Sequence, residues 1–294
     1  TVAGCNINTG TGEIIYSADA AQCIEPLIYY DLTVSGNATK TLCGDIVVTN
    51  DLTILNTGTT LDADAANNYS ITLNGDWQSN GTFNAQNGKV LFDGTSSQNI
   101  NRNTGDNEIF YDFEIGAASS VLSDHNVQVE DTLLMNGGNF ILASGKVLTI
   151  GVDATDRGAL VNNSGYVVGK LVYWLSSTAD DNRDILYPLG TSSSNRSFVL
   201  NATNISNSGR LQLEFVESDP LDQGLPLNDG LFVVDGTFNE GYWKMTFAGG
   251  FSIDAVVGFD LDAVADGFGS YPLTENSRLL SRYSSGSDWL LNGT

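Results

Sequence analysis

Charged residues are scarce in this chain, and positively charged residues are the scarcest. Only 16% of the residues are Asp, Glu, Lys or Arg, and 12 Lys and Arg stand against 35 Asp and Glu, a formal net charge of −23. Because phosphate binding needs a basic surface, the sequence predicts no nucleic-acid partner. The same repulsion disfavours anionic membranes and polyuronate ligands.

Long apolar runs and helical patterns are also missing. No stretch of 18 apolar residues occurs, so we expect no direct membrane insertion. No window of ten or more residues has the spacing of an amphipathic helix. The apolar residues stand in short runs of Val, Ile, Leu, Phe and Tyr, which favour strands. We therefore predict an all-β protein.

Histidine occurs once, at His125, and this removes most catalytic arrangements. A Ser-His-Asp or Cys-His site would have to use that residue, which lies in the turn-like segment Ser123-Asp124-His125-Asn126 without a marked nucleophile. P-loop, GxGxxG and HExxH motifs are absent. The sequence therefore predicts that the protein is not an enzyme.

Cysteine is rare and confined to one end, at Cys5, Cys23 and Cys43. We expect a disulfide that ties down the N-terminal segment, with Cys5–Cys23 as the pair and one thiol left over. Such a bridge is worth about 3 kcal/mol. A zinc site is disfavoured because no CxxC pair occurs and His125 is distant. The start at Thr1 without Met predicts a mature secreted product.

Strand-like runs recur at nearly constant spacing in the first half of the chain. Their marker residues are Leu32, Leu52, Ile71, Leu91, Phe113, Leu133 and Leu148, which gives steps of 20, 19, 20, 22, 20 and 15 residues. This period is typical of a parallel β-helix, a solenoid whose stacked turns bury a core that no single turn could bury. Seven turns would make a column about 30 Å long. An evenly spaced antiparallel sandwich is the alternative.

The period is lost between residues 158 and 170, and the strand-like runs then become longer and richer in aromatics. Their number suits a sandwich, with Trp174, Trp243 and Trp289 as candidate core residues. We therefore predict an all-β chain made of a parallel β-helix followed by a β-sandwich. The predicted segments are an N-terminal cap with cysteines (1–29), a β-solenoid of roughly 20-residue turns (30–165) and a β-sandwich (166–294).

Closely spaced aspartates are candidate ligands for Ca²⁺, which prefers hard oxygen ligands. Asp62 and Asp64 form one pair. Two further groups lie in the second half, consisting of Asp180, Asp181, Asp184 and of Asp260, Asp262, Asp266. None of them matches the EF-hand loop, and ordinary turn aspartates are the alternative.

Paired carboxylates are the one enzymatic option, since glycosidic cleavage needs two carboxyls about 5–10 Å apart. Asp112 and Glu114 are two residues apart on one strand-like run and so share a face. Asp51 and Asp131 head turns that the marker spacing makes equivalent, but four turns separate them.

Several segments resemble secreted surface proteins of Bacteroidetes, which are typically large, multidomain and exported by the type IX system. The resemblance covers residues from about 30 to 290. The matching segments are 81–100, 110–115, 137–142, 165–170, 187–191 and 241–243, among them GTFNAQNGKVLFDGTSSQNI and FYDFEI. It implies an extracellular or cell-surface location, and Asp131-Thr132-Leu133 resembles the short motif at which Bacteroidetes O-glycosylate secreted proteins, at Thr132.

These observations together predict a structural or adhesive module of an extracellular bacterial assembly, with other surface or secretion-machinery proteins, or glycans, as partners. One alternative is a carbohydrate-binding module that uses exposed aromatics at Tyr69, Trp77 and Tyr111. Another is a glycan-active β-helix enzyme. Ice binding ranks last, because the runs carry a single Thr each and not a Thr-x-Thr ladder.

Overall fold

A computed structural model describes residues 10–103, 105, 107–116, 120–177, 184–202, 205–249, 259–265, 274 and 277–291, with backbone alone for 184, 201–202 and 259–265. Within these residues the chain forms 32 β-strands and no helix, which confirms the all-β prediction. It follows that no described helix is long and apolar enough to cross a membrane.

Most of the described chain is a parallel β-solenoid of about seven turns, as predicted. Its strands, in chain order, are β1 (Glu13–Tyr16), β2 (Gln22–Ile24), β3 (Ile28–Tyr29), β4 (Asp31–Val34), β5 (Thr39–Leu42), β6 (Ile46–Val48), β7 (Leu52–Ile54), β8 (Thr60–Asp62), β9 (Ile71–Leu73), β10 (Trp77–Ser79), β11 (Thr82–Asn84), β12 (Lys89–Phe92), β13 (Gln98–Arg102), β14 (Asn107–Phe110), β15 (Asp112–Ile115), β16 (Val121–Ser123), β17 (Asn126–Val129), β18 (Thr132–Asn136), β19 (Phe140–Leu142), β20 (Val147–Ile150), β21 (Ala159–Ser164), β22 (Val167–Val168) and β23 (Lys170–Leu175).

Every third strand stacks on the same sheet, so the column has three faces. Face 1 has the order β1-β4-β7-β10-β13-β16-β19-β22, and face 3 has the order β3-β6-β9-β12-β15-β18-β21. Face 2 is interrupted, with β2-β5-β8-β11 in one sheet and β14-β17-β20-β23 in the next. The described strand pairs within these faces are all parallel.

Alternation within each short strand builds the core. In β7 and β9 the first and last residues of each strand point into the core, while the central residues Thr53 and Thr72 face the solvent. On face 1 the inward residues Leu32, Leu52, Trp77 and Ile100 are partners in successive turns, and each is fully buried. Burying one such side chain is worth about 1.5–3 kcal/mol, so the stacked column holds the turns together.

Polar side chains at the corners link each turn to the next. The carboxylate of Asp31 accepts a hydrogen bond from the backbone N–H of Asp51 at 3.0 Å. Asp51 in turn accepts one from Asp76 N–H, and Asp76 accepts one from Asn99 N–H, both at 2.8 Å. The corner aspartates therefore accept hydrogen bonds from backbone N–H groups that have no partner in a neighbouring strand.

Glycine is required at some corners because successive turns approach closely. A Cβ on Gly81 would lie 2.3 Å from the carbonyl oxygen of Thr59, and a Cβ on Gly75 would lie 2.3 Å from that of Asn50. No side chain fits at such a distance, so the Asn-Gly pairs that the sequence shows here mark stacking contacts between turns.

The seven marker residues do not lie on one face. Leu32 and Leu52 belong to face 1, Ile71 to Leu133 belong to face 3, and Leu148 belongs to face 2. The partner of Ile14 is Leu32, 18 residues on, whereas that of Leu133 is Leu160, 27 residues on. The apparent 20-residue period thus combines steps within a face and steps between faces, because all three faces carry the same short Leu-Thr-Ile type of strand.

The N-terminal end is closed differently from the prediction. The first turn begins at Glu13, within the segment 1–29 that the sequence suggests as a cap. Cys23 forms a disulfide with Cys43, so the predicted Cys5–Cys23 pairing is wrong. Cys23 on β2 is the partner of Thr41 on β5, which brings Cys43 beside it in the next turn, with a Cα–Cα distance of 5.7 Å. Cys5 lies outside the described residues.

A buried ion pair lies where face 2 is interrupted. Glu108 on β14 occupies an inward position and is 1% exposed, and its carboxylate accepts a hydrogen bond from Arg102 at 2.7 Å. Arg102 also donates to Ser79 Oγ and to the Gly81 carbonyl, which ties it to the preceding turn. Burial raises the pKa of Glu108, against the opposing pull of Arg102.

Beyond β23 the pairing becomes antiparallel. The remaining strands are β24 (Asp184–Tyr187), β25 (Arg196–Ala202), β26 (Gly209–Val216), β27 (Leu227–Asp229), β28 (Phe232–Val234), β29 (Tyr242–Ala248), β30 (Phe259–Ala265), β31 (Leu280–Ser281) and β32 (Leu290–Leu291). Strands β26 and β29 extend the second sheet of face 2, in the order β14-β17-β20-β23-β26-β29. The solenoid and the antiparallel part therefore share one continuous sheet.

A second antiparallel sheet, β24-β25-β30, packs on the inner side of this extension. Phe198 contacts Trp243 with ring centroids 5.4 Å apart, and Tyr173 contacts Tyr187 at 4.9 Å. These contacts give the described antiparallel sheets the layered form of a β-sandwich. Trp243 packs against the core as expected, whereas Trp174 lies on the outer side of the shared sheet. Trp289 is buried outside this core, against Arg282 and the Leu221 carbonyl.

Candidate functional site

The aromatic residues proposed as an exposed carbohydrate surface do not form one. Trp77 is fully buried, with its ring 4.9 Å from that of Phe83 and 5.3 Å from that of Phe110. Its position pairs with Leu52 and Ile100, which makes it one more inward residue of face 1. Tyr69 and Tyr111 are partly buried against the same core. The prediction of an exposed aromatic row was therefore wrong.

The candidate catalytic carboxylates are tied to neighbouring turns. Asp112 and Glu114 both point outward from β15, as predicted. Asp112 accepts a hydrogen bond from Thr132 N–H at 3.1 Å. Glu114 accepts hydrogen bonds from Lys89 Nζ and Asn136 Nδ2, both at 2.8 Å. These contacts give both carboxylates a role in joining turns of face 3.

Asp51 and Asp131 do not occupy equivalent positions in their turns, so that prediction was wrong. Asp51 precedes β7 on face 1, whereas Asp131 precedes β18 on face 3. Asp131 lies near Asp112 in the adjoining turn. Burial and this neighbouring carboxylate raise the pKa of Asp112.

His125 lies in the turn between β16 and β17, as the sequence predicts. Its Nδ1 contacts the Asp124 carboxylate, but the hydroxyl of Ser123 donates to the backbone carbonyl of His125 and not to the ring. The three neighbours thus lack the hydrogen-bond chain of a catalytic triad.

The calcium hypothesis has different outcomes along the chain. Asp62 accepts hydrogen bonds from Asn84 and Gln86, and Asp64 caps its own turn by accepting from Ala66 N–H. Within the described residues, no group of three or more His, Cys, Asp or Glu is arranged to hold a metal ion.

The other calcium candidates lie largely outside what the structure describes. Asp180, Asp181 and Asp266 are not among the described residues, and Asp184, Asp260 and Asp262 are described by backbone alone. The register pairs Asp184 with Asn201 and Asn201 with Asp260, so one row of the second sheet joins members of both candidate groups. Calcium binding there stays a prediction.

Thr132 begins β18 and is partly exposed on face 3. Its hydroxyl lies 3.4 Å from the Asp131 carboxylate, to which it donates. O-glycosylation at Thr132 stays a prediction.

Two neighbouring depressions lie on the outer side of the shared sheet, and together we call them the outer trough. One part, of about 390 Å³, is lined by outward residues of β14, β17, β20, β23, β26 and β29. An adjoining part, of about 340 Å³, lies toward the start of β23. Val172, 6% exposed, is part of its lining. Four parallel strands of the solenoid and two antiparallel strands thus contribute side chains to the outer trough.

The middle of the outer trough is lined by amides and hydroxyls. Its polar side chains are Asn107, Asn126, Gln128, Thr149, Gln212 and Thr246. Gln212 is the direct partner of both Val172 and Thr246, which sets these side chains in one row across three strands. No hydrogen bond within the described structure engages the side chains of Thr149, Gln212 or Thr246. Their donors and acceptors therefore face the solvent.

An aromatic and a cationic side chain close one end of the outer trough. Trp174 and Arg210 are partners on β23 and β26, and the guanidinium carbon of Arg210 lies 5.3 Å from the Trp174 ring centroid. The indole Nε1 of Trp174 is buried and has no hydrogen-bond partner in the described structure. A buried donor without a partner is costly and usually marks a group that a water molecule or a ligand satisfies.

Basic side chains gather at the opposite end. Lys146, Lys170 and Lys244 line the second part together with one carboxylate, Glu214. Glu214 lies between two strands that carry lysines, and its carboxylate is 3.4 Å from Lys244 Nζ. From Lys170 to Trp174, four residues along β23, the trough spans about 13 Å at the usual strand rise.

Sequence reasoning missed this site. In its larger part the strand residues come from six strands spread over residues 107–248, and each alternates with core residues as any solvent-facing residue would. One signal in the sequence is the segment Lys170-Leu171-Val172-Tyr173-Trp174. Its tryptophan lies four residues after a lysine, so both side chains point to the same face of the strand.

The outer trough can surround a ligand rich in hydroxyl groups. Side-chain amides and hydroxyls both donate and accept hydrogen bonds, and the guanidinium of Arg210 supplies further donors. Comparison of the chain with protein-family models, with curated proteins and with solved structures finds no match in any of the three.

Proposed function

We propose that this protein is an adhesive module of an extracellular bacterial assembly and that it binds a saccharide in the outer trough. The observation that carries the proposal is the row of amides and hydroxyls on β17, β20, β26 and β29, bounded by Trp174 and Arg210. Its members are Gln128, Thr149, Gln212 and Thr246. Saccharides present many hydroxyls that both donate and accept, and such a row matches them.

The disulfide supports a location outside the cell. Bonds such as Cys23–Cys43 form and persist in oxidising compartments and are rare in the cytosol. The segments that resemble type IX-exported surface proteins of Bacteroidetes support the same location and suggest other surface proteins of the assembly as partners. The solenoid then serves as a stiff support that holds the outer trough at a fixed place in that assembly.

The test is a binding assay on the full chain with a panel of neutral and acidic oligosaccharides of defined length. We expect at least one member to bind, and we expect Gln212→Ala/Thr246→Ala to weaken it about tenfold, since each lost hydrogen bond is worth about 0.5–1.5 kcal/mol. Isothermal titration calorimetry measures both affinities.

Thr53→Ala/Thr72→Ala is the matched control, because it removes two outward hydroxyls from faces 1 and 3, away from the outer trough. Its affinity should equal that of the wild type. Failure of every saccharide to bind, or equal losses in both double variants, would contradict the proposal.

A further inference from the structure

The outer trough concentrates positive charge in a protein that has little of it. Four of the 12 Lys and Arg residues line it, namely Lys146, Lys170, Arg210 and Lys244. Of the 35 Asp and Glu, only Glu214 is found among its described lining residues. The local balance is therefore opposite in sign to the net charge of −23.

The positive charges lie at the two ends of the outer trough, with Arg210 at one end and the three lysines at the other. Lys146 and Lys170 are partly buried beside the end of β19 and the start of β23, and Lys244 faces them from β29. Glu214, 15% exposed, lies within this group and makes an ion pair with Lys244. Among the described lining residues, this lysine end therefore has three ammonium groups and one carboxylate.

The negative charge of the rest of the protein restricts where an anionic ligand can bind. An anionic ligand is repelled by the acidic surface of the chain as a whole and attracted where cations cluster in a concave site. The overall charge disfavours such ligands elsewhere on the protein, and the lysine end provides a defined place at which they bind.

We propose that the saccharide bound in the outer trough is acidic. Its carboxylate or sulfate group is held by Lys170 and Lys244, and its neutral hydroxyls lie over the row of amides and hydroxyls. This inference rests on the proposed function and adds the chemical class of the ligand. Both kinds of anion accept charge-assisted hydrogen bonds from ammonium groups.

The experiment compares each charged oligosaccharide with a neutral form of the same backbone. The carboxylate probes are trigalacturonate and its methyl ester, and the sulfate probes are a sulfated galactan tetrasaccharide and its desulfated form. We expect at least one charged probe to bind about tenfold more tightly than its neutral form, as hydrogen bonds to charged groups allow. Preference for one pair over the other identifies the anion.

Lys170→Gln/Lys244→Gln should abolish this preference, so that the charged and neutral forms bind the variant with the same affinity. Lys89→Gln is the matched control, because it removes a lysine ion-paired to Glu114 on face 3 and should keep the preference. Circular dichroism of each variant checks that the fold is retained.

Equal affinity for charged and neutral forms, or a preference that survives in Lys170→Gln/Lys244→Gln, would overturn the acidic-ligand inference and leave saccharide binding intact. Failure of every charged and neutral saccharide to bind the wild type would overturn the proposed function itself. The two failures are thus distinguishable in one set of titrations.

Discussion

At the corners of the solenoid, single side chains bridge successive turns. Asp31, Asp51 and Asp76 each accept a hydrogen bond from the backbone of the following turn, and Asp45 and Asp112 do the same on face 3. Five of the 35 acidic residues therefore have a structural role at these corners. Asparagine serves equally well at other corners, such as Asn126, which accepts from Val147 N–H at 3.0 Å.

Asp112→Asn should stabilise the protein at neutral pH. The raised pKa of Asp112 means that the folded state binds its proton more readily than the unfolded state does. Its carboxylate therefore lowers stability at pH 7, and this loss disappears as the pH falls through the raised pKa. We expect the variant to be about 0.5 kcal/mol more stable than the wild type at pH 7, the usual size for charge pairs near a surface. Between pH 7 and pH 4, the stability of the variant should rise less than that of the wild type.

Urea unfolding at several pH values measures this effect. Asp45→Asn is the control, since Asp45 makes the same type of bridge, to Ser70 N–H, at another corner of face 3. If Asp112→Asn destabilised the protein at pH 7, or if it left the pH dependence unchanged, the carboxylate would not act as described.

At the scale of strands, the sequence predicts the elements better than their arrangement. The runs around Leu52, Ile71, Leu133 and Leu148 all form strands close to their expected places. Their assignment to faces failed because each face is buried on one side only and so selects the same alternation of aliphatic residues and threonine. Trp77 and Trp174 show the limit most clearly, since only the register reveals that the first points inward and the second outward.

The ion pair between Arg102 and Glu108 fixes the place where face 2 is interrupted. Arg102→Met should lower the free energy of unfolding by about 3–5 kcal/mol, because it leaves the buried Glu108 carboxylate without its partner. Replacing both residues, as Arg102→Met/Glu108→Leu, should recover most of this loss, since an apolar pair needs no compensation.

Lys89→Met is the matched control, because Lys89 pairs with Glu114 at the surface, where one ion pair contributes at most about 1 kcal/mol. Chemical denaturation of the four proteins gives the comparison. Equal losses in Arg102→Met and Lys89→Met would show that burial of the first pair has no energetic consequence.

For the whole molecule, the shared sheet has the largest consequence. Strand β23 pairs with β20 in parallel on one side and with β26 in antiparallel on the other, so solenoid and sandwich have no separate cores at this point. The buried residues form one cluster that extends from Ile24 to Phe215.

The two parts should therefore unfold together. In a Trp77→Phe variant the remaining tryptophans all lie at or beyond β23, so their fluorescence reports the C-terminal part, while far-UV circular dichroism reports all strands. We expect both signals to change at the same urea concentration. A fluorescence midpoint clearly below that of circular dichroism would show that the sandwich unfolds independently.

The turns differ in length, and this difference affects how the sequence of such a solenoid can evolve. The corner between face 2 and face 3 takes residues 43–45 in one turn and residues 63–70 in the next, yet the strands on either side remain in register. Because the entropy of closing a loop grows only slowly with its length, added residues cost little there. The corners are thus natural places for grafted loops, and new recognition surfaces can evolve on this column without redesign of its interior.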